Sequence, residues 1–384
     1  MLEADVEVDR RDFTVRASLT VAPGERLALF GPSGAGKTTV LEAIAGLVAP
    51  RRARIALAGR VLTATGTRAI ALPPWQRKVG LLRQDPGLFP HLSVRDNLRY
   101  AGSGRSGRAD PDELAELTDV LGIAGLLGAM PARLSGGQAH RVALGRLLLA
   151  HCDALLLDEP YTGLDASLRR TLTDLVISLV GQRRVPAILV AHELAETQAF
   201  ADRLAVLDRG QILQTGTPSE VVLRPAVRRV AELVGYSGFV PVPGAAGISG
   251  TVAGVHPDRV IGGRRPDRGL VLAGVVTGCR PAGALWEVAV ECRPETAPPG
   301  DAQPSAGSSA RVVARLPEAA PSGQEIAVTV VDPPCFGPDG TAVGGGGSAV
   351  ADAADAANAA IGADAAHAAD PVDSADSADA GAPR

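Results

Sequence analysis

Aromatic side chains are scarce: Phe, Tyr and Trp together make up 3% of the 384 residues, while alanine, glycine and arginine abound. That texture reflects coding bias more than function. The chain also lacks any run of 18 or more apolar residues. No segment is therefore expected to span a membrane, and any membrane role must pass through a partner. The first residues, Met1-Leu2-Glu3-Ala4-Asp5, have neither a basic region nor an apolar stretch, so they do not read as a secretory leader. Positive charge is not in excess either. The net charge is −4, a balance that argues against nucleic acid as a partner. Cysteines are few, and Cys152, Cys279, Cys292 and Cys335 form no CxxC pair and no metal-type spacing with histidine. They read as reduced and structural. His91, His140, His151, His256 and His367 show no ligand spacing and are assigned no metal.

What the chain has is length, apolar content and punctuation. Its 46% hydrophobic residues suffice for a real core, and its length allows two or more domains. Residues Leu2 to Val8 and Phe13 to Val21 alternate as strands around the turn Asp9-Arg10-Arg11. After Pro23-Gly24, a short apolar strand at Arg26 to Phe30 feeds the glycine-rich segment Gly31-Pro32-Ser33-Gly34-Ala35-Gly36-Lys37-Thr38-Thr39. Val40, Leu41, Ile44 and Leu47 then recur at helical spacing. Strands are expected around Arg54–Leu57, Val61–Leu62 and Lys78–Leu82, and helices at Glu113 to Val120 and Ala139 to Leu149. Leu155–Leu157 and Ala187–Val190 are apolar runs too short for ordinary helices and fit buried parallel strands. Leu204–Asp208, Arg209-Gly210 and Gln211–Leu213 read as a hairpin, and helical periodicity resumes from Ser219 to Leu233.

From Gly235 the texture changes. Short β-prone runs at Leu270–Val276, Leu285–Val290, Ala310–Leu316 and Glu325–Val331 alternate with proline and glycine, which predicts a small β-barrel-like domain. Pro294 to Ser309 reads as a mobile insertion within it. Beyond Gly337, a Gly run at Gly344–Gly347 leads into an Ala, Asp and Ser tail with too little apolar bulk to fold alone. The expected organisation is an α/β domain at 1–235 with a helical insertion at about 85–150, a β domain at 236–337 and a disordered tail at 338–384.

The glycine-rich segment has the chemistry of a P-loop. Its glycines let backbone N–H groups curl toward phosphate oxygens, and the following helix adds its own N-terminal donors. Lys37 should reach the β- and γ-phosphates, Thr38 should offer its hydroxyl to Mg2+, and Thr39 should help hold phosphate. Asp158 follows three buried leucines, where a carboxylate at a strand end can face the metal through water. Glu159 would polarise the attacking water as general base, and Pro160 stops the strand. Ser135, Gly136 and Gly137, followed by Gln138, open a helix and form a second phosphate-binding surface. Because the P-loop already binds the phosphates, that surface serves only the ATP of another subunit. Gln84 follows a strand, and its amide either senses Mg2+ or the γ-phosphate or is a surface glutamine. His192 lies past the run Ala187–Val190, where it either contacts the γ-phosphate or is structural.

With these motifs in this order, residues 1–235 resemble the nucleotide-binding subunit of an ABC transporter. Walker A corresponds to Gly31–Thr39, the Q-loop to Gln84, the LSGGQ signature to Leu134–Gln138, Walker B to Leu155–Glu159, the D-loop to Gly163–Asp165 and the H-loop to His192. The resemblance implies an α/β P-loop NTPase fold, ATP and Mg2+ as cofactors, and head-to-tail homodimers. In these, each ATP lies between one P-loop and the partner's signature, with Asp165 beside the seam. It implies integral membrane permease subunits, contacted by Gln84 through about Val94, and an extracytoplasmic solute-binding protein. The ATPase itself would sit on the cytoplasmic face of the membrane. The β domain resembles the TOBE domain of importers for molybdate, sulfate, polyamines and iron, where it either binds an oxyanion or stabilises the dimer. Ala28-Leu29-Phe30, Leu72-Pro73-Pro74 with Arg77-Lys78-Val79-Gly80, and the segment Leu88 to Tyr100 resemble the molybdate branch in particular.

The chain departs from that pattern in places. Members place an aromatic ahead of the P-loop to stack on adenine; Phe13 is the nearest candidate, or else a core residue. His140-Arg141 stands where Gln-Arg is common, and Thr162-Gly163 where Ser-Ala is. The expected function is thus the ATPase of an importer, for molybdate, with sulfate, polyamine or ferric iron as alternatives. A regulatory, non-transport ABC protein is the reading from another class.

Overall fold

The computed structural model describes residues 1–102, 111–242, 250–292 and 310–343. The expected insertion at 294–309 and all of the expected tail beyond residue 343 lie outside these. Two compact units divide between Ala226 and Val227.

The first unit is built on an eleven-stranded sheet. Five neighbouring strands at one side run parallel: Arg203–Asp208, Arg26–Phe30, Ala187–Ala191, Ala154–Asp158 and Val79–Leu82. Every residue of Ala154–Asp158 and Ala187–Ala191 is buried, as parallel strands covered on both faces require. The alternation of side chains divides two cores between the faces. Leu156, Ile188 and Val190 join Val40, Leu41 and Ile44 of the helix Lys37–Ala45. Leu155, Leu157 and Leu189 join Leu144, Leu148 and Leu172 on the other side.

The rest of the sheet is largely antiparallel. Leu2–Asp9 pairs with Thr14–Val21 in full register and with Arg52–Leu57 on its other edge. The period-two burial of these strands puts one face on the core and leaves the other to solvent. Helices Val94–Gly102, Pro111–Val120 and Gly136–Leu149 form a helical subdomain. Their close approach depends on Gly145, where a Cβ would stand 2.7 Å from Leu121 Cδ1 and 3.0 Å from Leu98 Cδ2. The helical periodicity at 219–233 is broken into Pro218–Leu223 and Arg228–Leu233. Pro225, lacking an N–H, cannot continue the first of these.

The second unit carries two antiparallel sheets. In one, the order is Val260–Gly262, Glu325–Val331, Gly269–Ala282, Leu285–Cys292 and Ala310–Leu316; in the other, Gly238–Pro241, Val252–Val255, Cys335–Phe336 and Ala342–Val343. Val240 and Val255 from the smaller sheet share a core with Leu272, Val288, Val312 and Val328 from the larger. This is the small curled TOBE-like sheet that the proline- and glycine-punctuated runs anticipate.

Candidate functional site

The C-terminal ends of the parallel strands carry the loop Gly31–Thr39, Gln84, Asp158, Glu159 and His192. Phe30 ends a buried strand, and the chain turns through Gly31 to Gly36 into the helix Lys37–Ala45. Gly36 holds this turn at φ +106°, a left-handed conformation that suits glycine. A Cβ there would stand 2.7 Å from Val15 Cγ2. Gly36 provides no side-chain cap and the first helical turn carries no acid, so the helix start is open to an anion.

Lys37 is buried, and its ammonium donates to the carbonyl oxygens of Gly31 at 2.8 Å and Pro32 at 3.0 Å. Burial pushes its pKa below the usual lysine value, against the opposing pull of the Glu159 and Asp158 carboxylates. A buried cation curled onto its own loop beside an uncapped helix start fits a phosphate chain.

Asp158 closes its strand with 3% exposure, and its Oδ2 accepts from the Thr38 hydroxyl at 2.9 Å. Burial raises the carboxyl's pKa and the Thr38 hydrogen bond lowers it. These two oxygen groups match the hard-donor preference of Mg2+, which typically takes one or two carboxylates and completes its shell with phosphate and water. Among the described residues, no cluster of three or more His, Cys, Asp or Glu could hold a metal unaided.

Glu159 turns out of the strand at φ +50°. Its Oε2 lies 3.4 Å from Gln84 Nε2 and 3.9 Å from His192 Nδ1. Three residues far apart in sequence thereby meet around one carboxylate. The stretch after Gln84 is pinned by fully buried Asn97, which bonds Phe89, Leu92 and Ser93, and by Arg146, which donates to Pro86 and Gly87.

Ser135 and Gln138 form a capping box. Ser135 Oγ accepts from Gln138 N at 3.3 Å and Gln138 Oε1 accepts from Ser135 N at 2.9 Å. Among the described residues, no hydrogen bond or ion pair joins Ser135–Gln138 to Gly31–Thr39. Asp165 caps the helix Ala166–Arg183, its Oδ1 accepting from Ser167 N and Leu168 N. Phe13 is half-buried against the sheet core, with Cε2 3.6 Å from the position of a Cβ on Gly36.

Sequence reasoning missed three arginines. Arg10 donates to the Thr39 hydroxyl at 2.9 Å. Arg77 is 5% exposed and donates to Leu72, Ala43 and Ile44 carbonyls, the last two at the C-terminus of the P-loop helix. Arg169 bonds Glu193 beside His192. No spacing signal marks any of them; each works through a contact made only in the fold.

A parallel α/β sheet with a phosphate-ready loop and two carboxylates at an adjacent strand end defines a P-loop nucleotide hydrolase. Residues 15–162 match the family model described as ABC transporter. An Fe(3+) ions import ATP-binding protein of Pseudomonas fluorescens is 39% identical over 285 residues, covering 69% of this chain and 79% of that protein. A sulfate/thiosulfate import ATP-binding protein of Chromobacterium violaceum is 41% identical over 240 residues, 62% of this chain and 64% of that protein, so under two thirds of that relative's length is spanned. A molybdenum import ATP-binding protein of Escherichia coli is 44% identical over 194 residues, 50% of this chain and 54% of that one. A solved ATP binding subunit of an ABC transporter aligns with a TM-score of 0.50 at 26% identity, over 61% of this chain and 95% of that one. The chain belongs to the family of ABC-transporter ATP-binding subunits and carries its ATPase domain. The similarity extends to several importer branches, and no single branch stands out.

Proposed function

We propose that this chain hydrolyses ATP in an importer, with two copies closing head to tail around the nucleotide. The observation that carries this reading is the meeting of Gln84, Glu159 and His192 beside the Thr38–Asp158 pair. Bound Mg2+ would supply charge neutralisation on the phosphates. Thr38, Asp158 and Gln84 would hold it. Lys37 and the N–H groups of residues 31–39 bind the phosphate chain, exchanging the loop's internal contacts for it. Glu159 takes the proton of the attacking water, and His192 steadies the γ-phosphate. Ser135, Gly136, Gly137 and Gln138 present the second helix start to the partner copy's ATP, a role supported by the lack, among the described residues, of any hydrogen bond or ion pair between them and their own P-loop.

Permease subunits hold the chain at the cytoplasmic face; among the described residues no helix is long and apolar enough to cross a membrane. An extracytoplasmic solute-binding protein acts through that permease. The solute in this reading is an oxyanion, molybdate, supported by the segments Leu72–Gly80 and Leu88–Tyr100 and by the Escherichia coli relative. Ferric iron is the second reading, favoured by the 285-residue match to the Pseudomonas protein.

The test is ATP turnover by the full chain with its permease in liposomes, adding molybdate, sulfate or ferric iron with the corresponding binding protein. Stimulation by molybdate alone supports the first reading and stimulation by ferric iron alone the second. Absence of MgATP hydrolysis under all conditions, with no loss of ATP binding on Lys37→Ala, refutes the ATPase assignment itself.

A further inference from the structure

Behind His192 lies a charged cluster that the hydrolytic reading does not use. Arg169, on the first turns of the helix Ala166–Arg183, places Nη1 2.9 Å from Glu193 Oε2 and 3.1 Å from Glu196 Oε1. Its Nη2 donates to the Leu164 carbonyl at 3.5 Å. Glu193 in turn brings Oε1 to 3.8 Å from His192 Nε2. One guanidinium therefore touches the loop Gly163–Asp165 on one side and the residue next to His192 on the other.

The cluster is not a loose surface pair. The Glu196 side chain is 7% exposed and that of Arg169 31%, and Arg169 Nε is buried without a partner. Burial raises the pKa of Glu196, and Arg169 opposes that rise ahead of every other neighbour. A partly buried planar group, bonded through Nη1 to two carboxylates and through Nη2 to a carbonyl, holds one geometry better than an exposed lysine pair does.

We propose that Arg169 is a positioning residue that ties the loop Gly163–Asp165 to the His192 turn and so sets where the imidazole stands relative to Glu159. This rests on the ATPase reading above. A shift of either segment moves the other, because both are held by the same planar group. Displacement of a reacting group by about 1 Å can cost on the order of 100-fold in rate.

The test uses the full chain as wild type, Arg169→Gln, Arg169→Lys and Glu193→Ala. Glu193 is half exposed, so its removal uncovers no buried charge. The expected result is a fall in kcat of roughly 10- to 100-fold for Arg169→Gln with KM for MgATP within about twofold, partial recovery in Arg169→Lys, and a smaller kcat loss in Glu193→Ala at unchanged Tm. A purely structural arginine would lower Tm and leave kcat of the folded fraction intact; that outcome overturns the proposal. If Arg169→Gln does not fold, unchanged kcat in Glu193→Ala overturns it alone. Hydrogen exchange of the backbone at 192–194, measured without nucleotide, should be about tenfold faster in Glu193→Ala or Arg169→Lys than in wild type. Identical exchange counts against the tie even if wild type proves inactive, whereas an inactive wild type with altered exchange counts only against the ATPase reading.

Discussion

Replacing Arg77 with methionine should destabilise the ATPase unit far more than a surface arginine would. The guanidinium sits under the C-terminus of the P-loop helix, 5% exposed, and donates to Ile44 O at 2.9 Å, Ala43 O at 3.2 Å and Leu72 O at 2.7 Å. Ala43 O would keep the Gly46 N–H at 3.2 Å, but Ile44 and Leu72 would lose their donors. An orphaned carbonyl costs about 1–3 kcal/mol where it is buried, as at Ile44, and less at half-buried Leu72. Loss of a cation at a helix C-terminus adds about 0.3–1 kcal/mol. Relief from burying the charge, which is what lowers this arginine's pKa, returns part of that. A net loss of about 3 kcal/mol is expected, or roughly 6–12 °C in Tm for a unit of this size. Arg77→Lys should fall between, since one ammonium cannot serve three carbonyls in the same plane. The assay is thermal and urea unfolding of all three proteins. A methionine variant melting within about 1 °C of wild type would show that the carbonyls find other donors and that the capping argument is wrong.

Glu159→Gln should bind ATP as wild type does yet hydrolyse it about 100- to 10,000-fold more slowly, the usual contribution of a general base; wild-type turnover would defeat the assignment. His140 is buried with Nε2 unpartnered, and burial lowers its pKa from 6.5. The folded state then binds fewer protons than the unfolded one, so stability should fall as pH drops below 6.5 toward the lowered value. His140→Met should remove that acid sensitivity and gain up to about 1–3 kcal/mol, read by Tm at pH 5 against pH 7.5; a variant that keeps the wild-type pH slope would count against it. Gly36→Ala should cost about 1–2 kcal/mol for a left-handed residue and weaken ATP-analogue binding as Val15 is displaced, with unchanged titration curves as the contrary result.

The sequence made the nucleotide loop and the central strands legible because their signals are local. Ala154–Leu157 and Ala187–Ala191 are unbroken apolar runs, and Ala310–Leu316 and Glu325–Val331 have the bounds that their turn residues mark. Edges were less legible. The strand opening at Gly269 runs on to Ala282, past a bulge at Val276/Gly278 that lets a glycine-containing stretch keep its pairing. The short pairings at Val252–Val255 and Cys335–Phe336 carry too few residues for a period to show. In the site, residue types pointed to Glu159 and Gln84, but their approach is a tertiary fact. Arg77 and Arg169 were invisible because an arginine in sequence gives no hint of whether it meets water or a buried carbonyl.

Lys37 enters every ligand encounter with two of its three N–H donors already engaged, by Gly31 and Pro32. Ligand capture at this position is thus a swap of acceptors, so calorimetry should record a smaller heat than the count of new bonds implies. Selectivity at this position begins with a ligand whose oxygens can replace two carbonyl acceptors at once.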